Sequence, residues 1–146
     1  PLVAALFVLL VAGIGSAIVT PPAALAAAAP GGTSTRWQPW SEPPVAALTA
    51  SGQPVFVDFT AAWCVTCQVN KKTTLSNSGV LADFDSRKVA LLRADWTRRD
   101  PAITAALAAL GRNGVPVYVL YRPGQTPLVM TEILTPGEVR AALATL

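Results

Sequence analysis

Cys64 and Cys67 are the only two cysteines in the chain, and they stand three residues apart in the run Trp63-Cys64-Val65-Thr66-Cys67. That spacing sets two sulfurs about one helical turn apart, near enough to be joined or parted as a disulfide. Where a helix begins at the first of the two, its unpaired N–H groups and its dipole favour a thiolate there. Cys64 is therefore expected to be an exposed nucleophile. Cys67, nearly one turn in, is placed to attack a mixed disulfide formed on Cys64 and release the reduced product. A static disulfide and a pair of metal thiolates compete with this reading. A bridge across so short a loop constrains the unfolded chain little. A metal site lacks supporting His ligands, with only a remote Met130 as a further soft donor. No metal and no organic cofactor are expected, because the sulfurs themselves carry the electrons.

Two further features fit a redox site. Asp58 lies six residues before Cys64 within the apolar run FVDFT. A carboxylate buried there would have a raised pKa and could accept the Cys67 proton through water; the plainer alternative is a solvent-facing strand residue. Val115-Pro116 follows Gly114 at the start of another apolar run. A cis bond here would present the Val115 backbone beside the cysteines, ready to pair with a substrate chain, whereas a trans proline would simply open the strand. Trp63, Val115 and Pro116 form the expected substrate-facing set.

The elements that must position these residues are legible from pattern. PVFVDFT (54–60) reads as a buried strand and the stretch from about Cys64 to Leu75 as a helix. VALLRADW (89–96) is a second strand, and Asp100-Pro101 opens a helix that closes at Gly111. PVYVLY (116–121) is a third strand, joined through Arg122-Pro123-Gly124-Gln125 to a fourth over 127–134. Thr135 and Glu138 have capping-box spacing at the head of the final helix. An earlier short helix follows Ser41, and Val80–Phe84 reads as a helical turn. Strands linked through helices pair in parallel and the close pair forms an antiparallel hairpin. The expectation is a mixed four-stranded α/β sheet with helices on both faces, over residues 41–146.

The front of the chain has another character. No charge precedes Arg36, although the 146 residues carry 11 Lys+Arg and 8 Asp+Glu. Leu2–Val19 is charge-free, and as a helix it would be about 27 Å long, close to the hydrocarbon thickness of a bilayer. A transmembrane helix over 1–20 is expected, ended by Thr20-Pro21-Pro22, with a signal-peptide core and a buried soluble helix as competing readings. Residues 21–40, rich in Ala, Pro and Gly, read as a linker. Pro1 reads as a cut inside a longer membrane protein, with the membrane contacted through residues 2–19. The absence of His excludes Ser-His-Asp and Cys-His catalysis and haem held by His. Net charge +3 with a pI near 9.3 is too weak to argue for nucleic acid.

FVDFTAAWCVTC followed by GVPVYVLY resembles the thioredoxin superfamily over roughly Arg36 to Leu146. More narrowly, DFTAAWCVTCQVNK resembles the C-terminal domain of the DsbD family of transmembrane thiol:disulfide interchange proteins, with its ScsB-like relatives. The resemblance implies a thioredoxin-like fold behind a last membrane span. It implies a bacterial inner-membrane location, with this domain in the periplasm. The function implied is a protein-disulfide reductase that takes electrons from an upstream membrane domain and passes them to periplasmic protein disulfides. Cys64 and Cys67 would be the redox pair, Asp58 the buried acid and Pro116 the cis-proline. One departure stands out: Lys71 occupies a position where family members often carry Glu, and a cation there favours thiolate. The alternatives are a single-span thioredoxin-like reductase for cytochrome c maturation and, from another class, a non-enzymatic thiolate metal-binding module.

Overall fold

The computed structural model describes residues 36–146. Ten elements follow one another: β1 (Gln38–Pro39), α1 (Glu42–Ala50), β2 (Val55–Thr60), α2 (Val65–Thr73), α3 (Ser78–Ser86), β3 (Ala90–Asp95), α4 (Pro101–Ala109), β4 (Val117–Tyr121), β5 (Leu128–Val129) and α5 (Pro136–Leu143). The strands form one five-stranded sheet in the order β1-β3-β2-β4-β5. β1 and β2 both run parallel to β3, while β4 runs antiparallel to β2 and to β5.

The expected count of four strands is thus corrected to five. β1 is two residues long and falls in a stretch with no strand pattern of its own, since its pairing with Leu92 and Arg93 alone makes it a strand. The strand expected over 127–134 shortens to Leu128–Val129. Beyond it the chain serves helix ends instead: Glu132 O and Leu134 O accept hydrogen bonds from the side chains of Asn70 and Thr74. Among the described residues no helix is long and apolar enough to cross a membrane. The span expected over 1–20 lies outside those residues.

β2 is the centre of the sheet, and all six of its residues are buried. With a side-chain period of two, Val55, Val57 and Phe59 point to one face and Phe56, Asp58 and Thr60 to the other. The first set joins Val45, Leu92, Ile103, Leu107 and Val119 in the core beneath α1 and α4. Phe56 joins Val80, Phe84, Tyr118, Val139 and Leu143 in the core beneath α2, α3 and α5.

Local chemistry fixes the helix starts. Asp100 Oδ1 accepts from the N–H groups of Ala102 (2.9 Å) and Ile103 (3.1 Å), with Pro101 at the first helical position. Asn77 Oδ1 accepts from Val80 N–H at 3.2 Å and extends the expected turn to the nine residues of α3. Thr135 caps α5 through Glu138 N–H, yet the Glu138 carboxylate does not return to the cap. It accepts instead from the Thr131 N–H and hydroxyl, pinning the loop after β5. Gly124, at φ +69, supplies the left-handed residue of the β4–β5 turn.

Candidate active site

The chain leaves β2 at Thr60, makes one turn through Ala61–Trp63, and enters α2 with Cys64 as its N-cap residue. Cys64 Sγ accepts from the Cys67 N–H at 3.1 Å, and the two sulfurs are joined in a disulfide. The expectation of an exposed Cys64 is corrected: it retains 6% exposure, and Cys67 none. Ala61 and Val115 pack against the pair and take part of its surface from solvent. Cys64 is still the more accessible cysteine. Trp63 beside it is half exposed, at 50%.

Val115-Pro116 is a cis peptide, and Val115 is half-buried against the Cys64–Cys67 cluster. Trp63, Cys64, Cys67 and Val115 are therefore brought to one end of the sheet, where β2 ends and β4 begins. Among the described residues no three His, Cys, Asp or Glu side chains gather in an arrangement able to hold a metal ion.

Asp58 is wholly buried in the middle of β2, on the face that packs under α2. Its neighbours in register are Arg93 on β3 and Tyr118 on β4. Arg93 Nε donates to Asp58 Oδ2 at 2.9 Å, while Asp58 Oδ1 and the nearby Thr60 hydroxyl make no hydrogen bond within the protein. Burial pushes the Asp58 carboxyl above the usual carboxylate range, against the opposing pull of Arg93 and, more weakly, Lys71. Lys71, on α2, is itself pushed below the usual lysine range by its partial burial, with Asp58 opposing that shift. The position that departs from the family pattern thus faces Asp58 with a cation.

A second layer holds the loop before Cys64. Thr97 Oγ1 accepts from Ala62 N–H at 2.8 Å, and Thr97 O accepts from the Trp63 indole N–H at 3.2 Å. The Thr97 hydroxyl donates in turn to Asp95, which also accepts from Thr97 N–H at 2.9 Å. These hydrogen bonds hold the Asp95 carboxyl below its ordinary range. The Trp63 and Trp96 ring centroids lie 6.2 Å apart, and the Arg99 guanidinium stacks on both rings. On α2, the buried Asn70 donates to Tyr118 Oη (2.9 Å) and Glu132 O (2.8 Å).

Sequence reasoning missed Arg93, Asp95, Thr97, Arg99 and Asn70. Arg93 and Asp95 left a signal, two charges within the otherwise apolar run VALLRADW. The meaning of Arg93 depended on the parallel register that sets it opposite Asp58.

A CxxC disulfide at the head of a helix, entered from the central strand of a mixed sheet and faced by a cis X-Pro bond, defines a thioredoxin-type site. The family model described as thioredoxin-like matches residues 36–123, and the chain belongs to this family. The Pseudomonas aeruginosa thiol:disulfide interchange protein DsbD 1 is 29% identical over 120 residues, covering 79% of this chain and 20% of that protein. DsbD of Ralstonia nicotianae is 35% identical over 77 residues, covering 53% of this chain and 12% of that protein. The chain therefore spans a fifth or less of the length of these curated relatives. Among solved structures, the oxidised C-terminal domain of Neisseria meningitidis DsbD is similar at a TM-score of 0.58 and 20% identity, over 72% of this chain and 97% of that one. A thioredoxin from Thermus thermophilus is similar at a TM-score of 0.61 and 22% identity, over 75% of this chain and 85% of that one. Within this family, the chain is similar to DsbD proteins over the matched residues.

Proposed function

We propose that the chain is a thiol:disulfide oxidoreductase, working as a protein-disulfide reductase in a DsbD-type electron relay. In this reading residues 1–20 are a membrane span, 21–37 a linker, and 38–146, from the edge strand β1 onward, the redox domain on the periplasmic side of a bacterial inner membrane. An upstream membrane domain reduces the Cys64–Cys67 disulfide. Cys64 thiolate then attacks a partner disulfide, one partner sulfur leaves as a thiol, and a mixed disulfide forms. Cys67 displaces the second partner sulfur and restores the Cys64–Cys67 bond, so two electrons and two protons pass to the partner. Asp58 takes up the Cys67 proton. Trp63, Val115 and Pro116 face the partner chain.

The observation that carries this reading is the Cys64–Cys67 disulfide at the N-terminus of α2, with Cys64 the less buried cysteine. The helix N-terminus favours thiolate on the attacking residue, and the unequal burial separates the attacking sulfur from the resolving one. The DsbD relatives support the relay and the partner class.

The test is reduction of insulin disulfides by the full chain in a non-ionic detergent, recycled by dithiothreitol, wild type against Cys64→Ser. Reduction above the dithiothreitol background is expected for wild type alone; equal activity in the two would sink the assignment. A Cys67→Ser chain is expected to accumulate a mixed disulfide with its natural partner in the cell, and a trapped protein from the periplasm would support the location.

A further inference from the structure

Beside the redox pair lies a cleft that the exchange chemistry does not use. It encloses a cavity of about 420 Å3 with Trp96 and Leu107 in its apolar lining and Arg99, Arg112 and Asn113 at its polar side. One wall is continuous with the active site, because Trp96 packs against Trp63 and Arg99 stacks on both rings at 4.4 and 5.3 Å. The opposite wall is too, because Arg112-Asn113-Gly114 leads straight into Val115, which packs on the Cys64–Cys67 cluster. The cysteine cluster and this cavity are thus linked on one side through Trp63 and Trp96 and on the other through the chain from Arg112 to Val115.

The charges here are unbalanced. Arg99 has no carboxylate partner among the described ion pairs. Its neighbour Asp100 is engaged with the Ala102 and Ile103 N–H groups, and Asp95 with Thr97. Arg112 has only Glu132, with N···O at 4.0 Å and both side chains well exposed. Arg99 sits in the left-handed region at φ 56, a backbone conformation uncommon for a non-glycine residue, which the stacking on two indoles holds in place. A guanidinium stacked by its face keeps its edge N–H groups free, and the guanidinium fork matches a carboxylate.

We propose that this cleft recognises partner proteins carrying an Asp or Glu two or three residues from their reactive cysteine, the carboxylate being held between Arg99 and Arg112. The proposal rests on the oxidoreductase reading for what brings the partner there. It adds a selection by charge to an otherwise sequence-tolerant exchange.

The test uses the full chain in non-ionic detergent, reduced beforehand with dithiothreitol and freed of it. Two peptides differ only in Glu or Gln near one cysteine, each capped as its mixed disulfide with mercaptoethanol. Exchange is followed by chromatography, and binding of the matching Ser-for-Cys peptides by tryptophan fluorescence. The Glu peptide is expected to react about five-fold faster than the Gln peptide at low salt, the scale of a partly exposed ion pair. The advantage should shrink as added salt shortens the screening length. Arg112→Gln should bring the ratio near one, and Arg112→Lys should restore part of it. Equal rates and equal binding for the two peptides in wild type, or a preference that survives in Arg112→Gln, would overturn the proposal while leaving the reductase reading intact. Preferential binding of the Glu-containing Ser peptide, abolished by Arg112→Gln, would uphold it even if neither disulfide peptide were reduced, and only the reductase reading would then fall.

Discussion

Asp58 is the residue on which stability and chemistry pull in opposite directions. Its carboxyl titrates above the ordinary carboxylate range, so the folded chain holds this proton more tightly than the unfolded chain does. The stability linked to it is complete below the unfolded value and is lost as pH rises through the folded one. Asp58→Asn removes that loss. The variant's thermal midpoint relative to wild type should therefore be less favourable at about pH 4 than at pH 8, and should climb between them. A difference that stayed flat across that window would contradict the assignment. In the proposed mechanism the same variant lacks the proton acceptor, so its resolving step should slow by about 10²-fold, read as slower decay of the mixed disulfide in stopped-flow. Lys71 acts on the same carboxyl. Lys71→Glu replaces a cation that draws the Asp58 pKa down with an anion that raises it. The rising limb of the resolving rate should then move to higher pH, and a shift to lower pH would refute the coupling.

At the level of elements, the site depends on two struts that join α2 and its entry loop to the rest of the molecule. Asn70 ties α2 to β4 through Tyr118 and to the loop after β5 through Glu132 O. Asn70→Ala leaves both partners short of a donor and should cost about 1–3 kcal/mol in urea unfolding. Thr97 supports Ala62 and Trp63 from the end of β3. The sequence made α2, β2, β3, α4 and β4 legible because each carries its own signal, such as the apolar run of Val55–Thr60 or the Asp100-Pro101 cap. The redox pair, Asp58 and Val115-Pro116 were singled out for the same reason, since each is chemically unusual where it stands. The struts were not legible. Asn70, Thr97 and Arg93 are ordinary residues whose partners lie 62, 35 and 35 positions away along the chain. β1 escaped because Gln38-Pro39 has no strand propensity and exists as a strand only through pairing.

Taken whole, the molecule sets its chemistry at one end of the sheet and stakes its stability on the two cores beneath it. Phe56 lies at the heart of the larger core, with its ring near those of Trp37, Phe84 and Tyr118. Phe56→Ala should cost about 3–5 kcal/mol, seen as a lower denaturation midpoint. Insulin reduction by the fraction still folded should persist, since Phe56 touches neither sulfur. The opposite edge of the sheet has a mechanical consequence. β1 holds to β3 by a two-residue parallel pairing extended by the Trp40 N–H to Arg93 O bond at 2.9 Å, and Trp37 lies under the Arg93 guanidinium at 4.6 Å. A pull applied to the chain at Arg36 loads the Arg36–Asp85 ion pair and then this seam. It should peel in a separate low-force step in an optical trap, before the cores yield. Arg93 also carries the counter-charge of Asp58. A pull that opens this seam should therefore reach Asp58 through a single arginine.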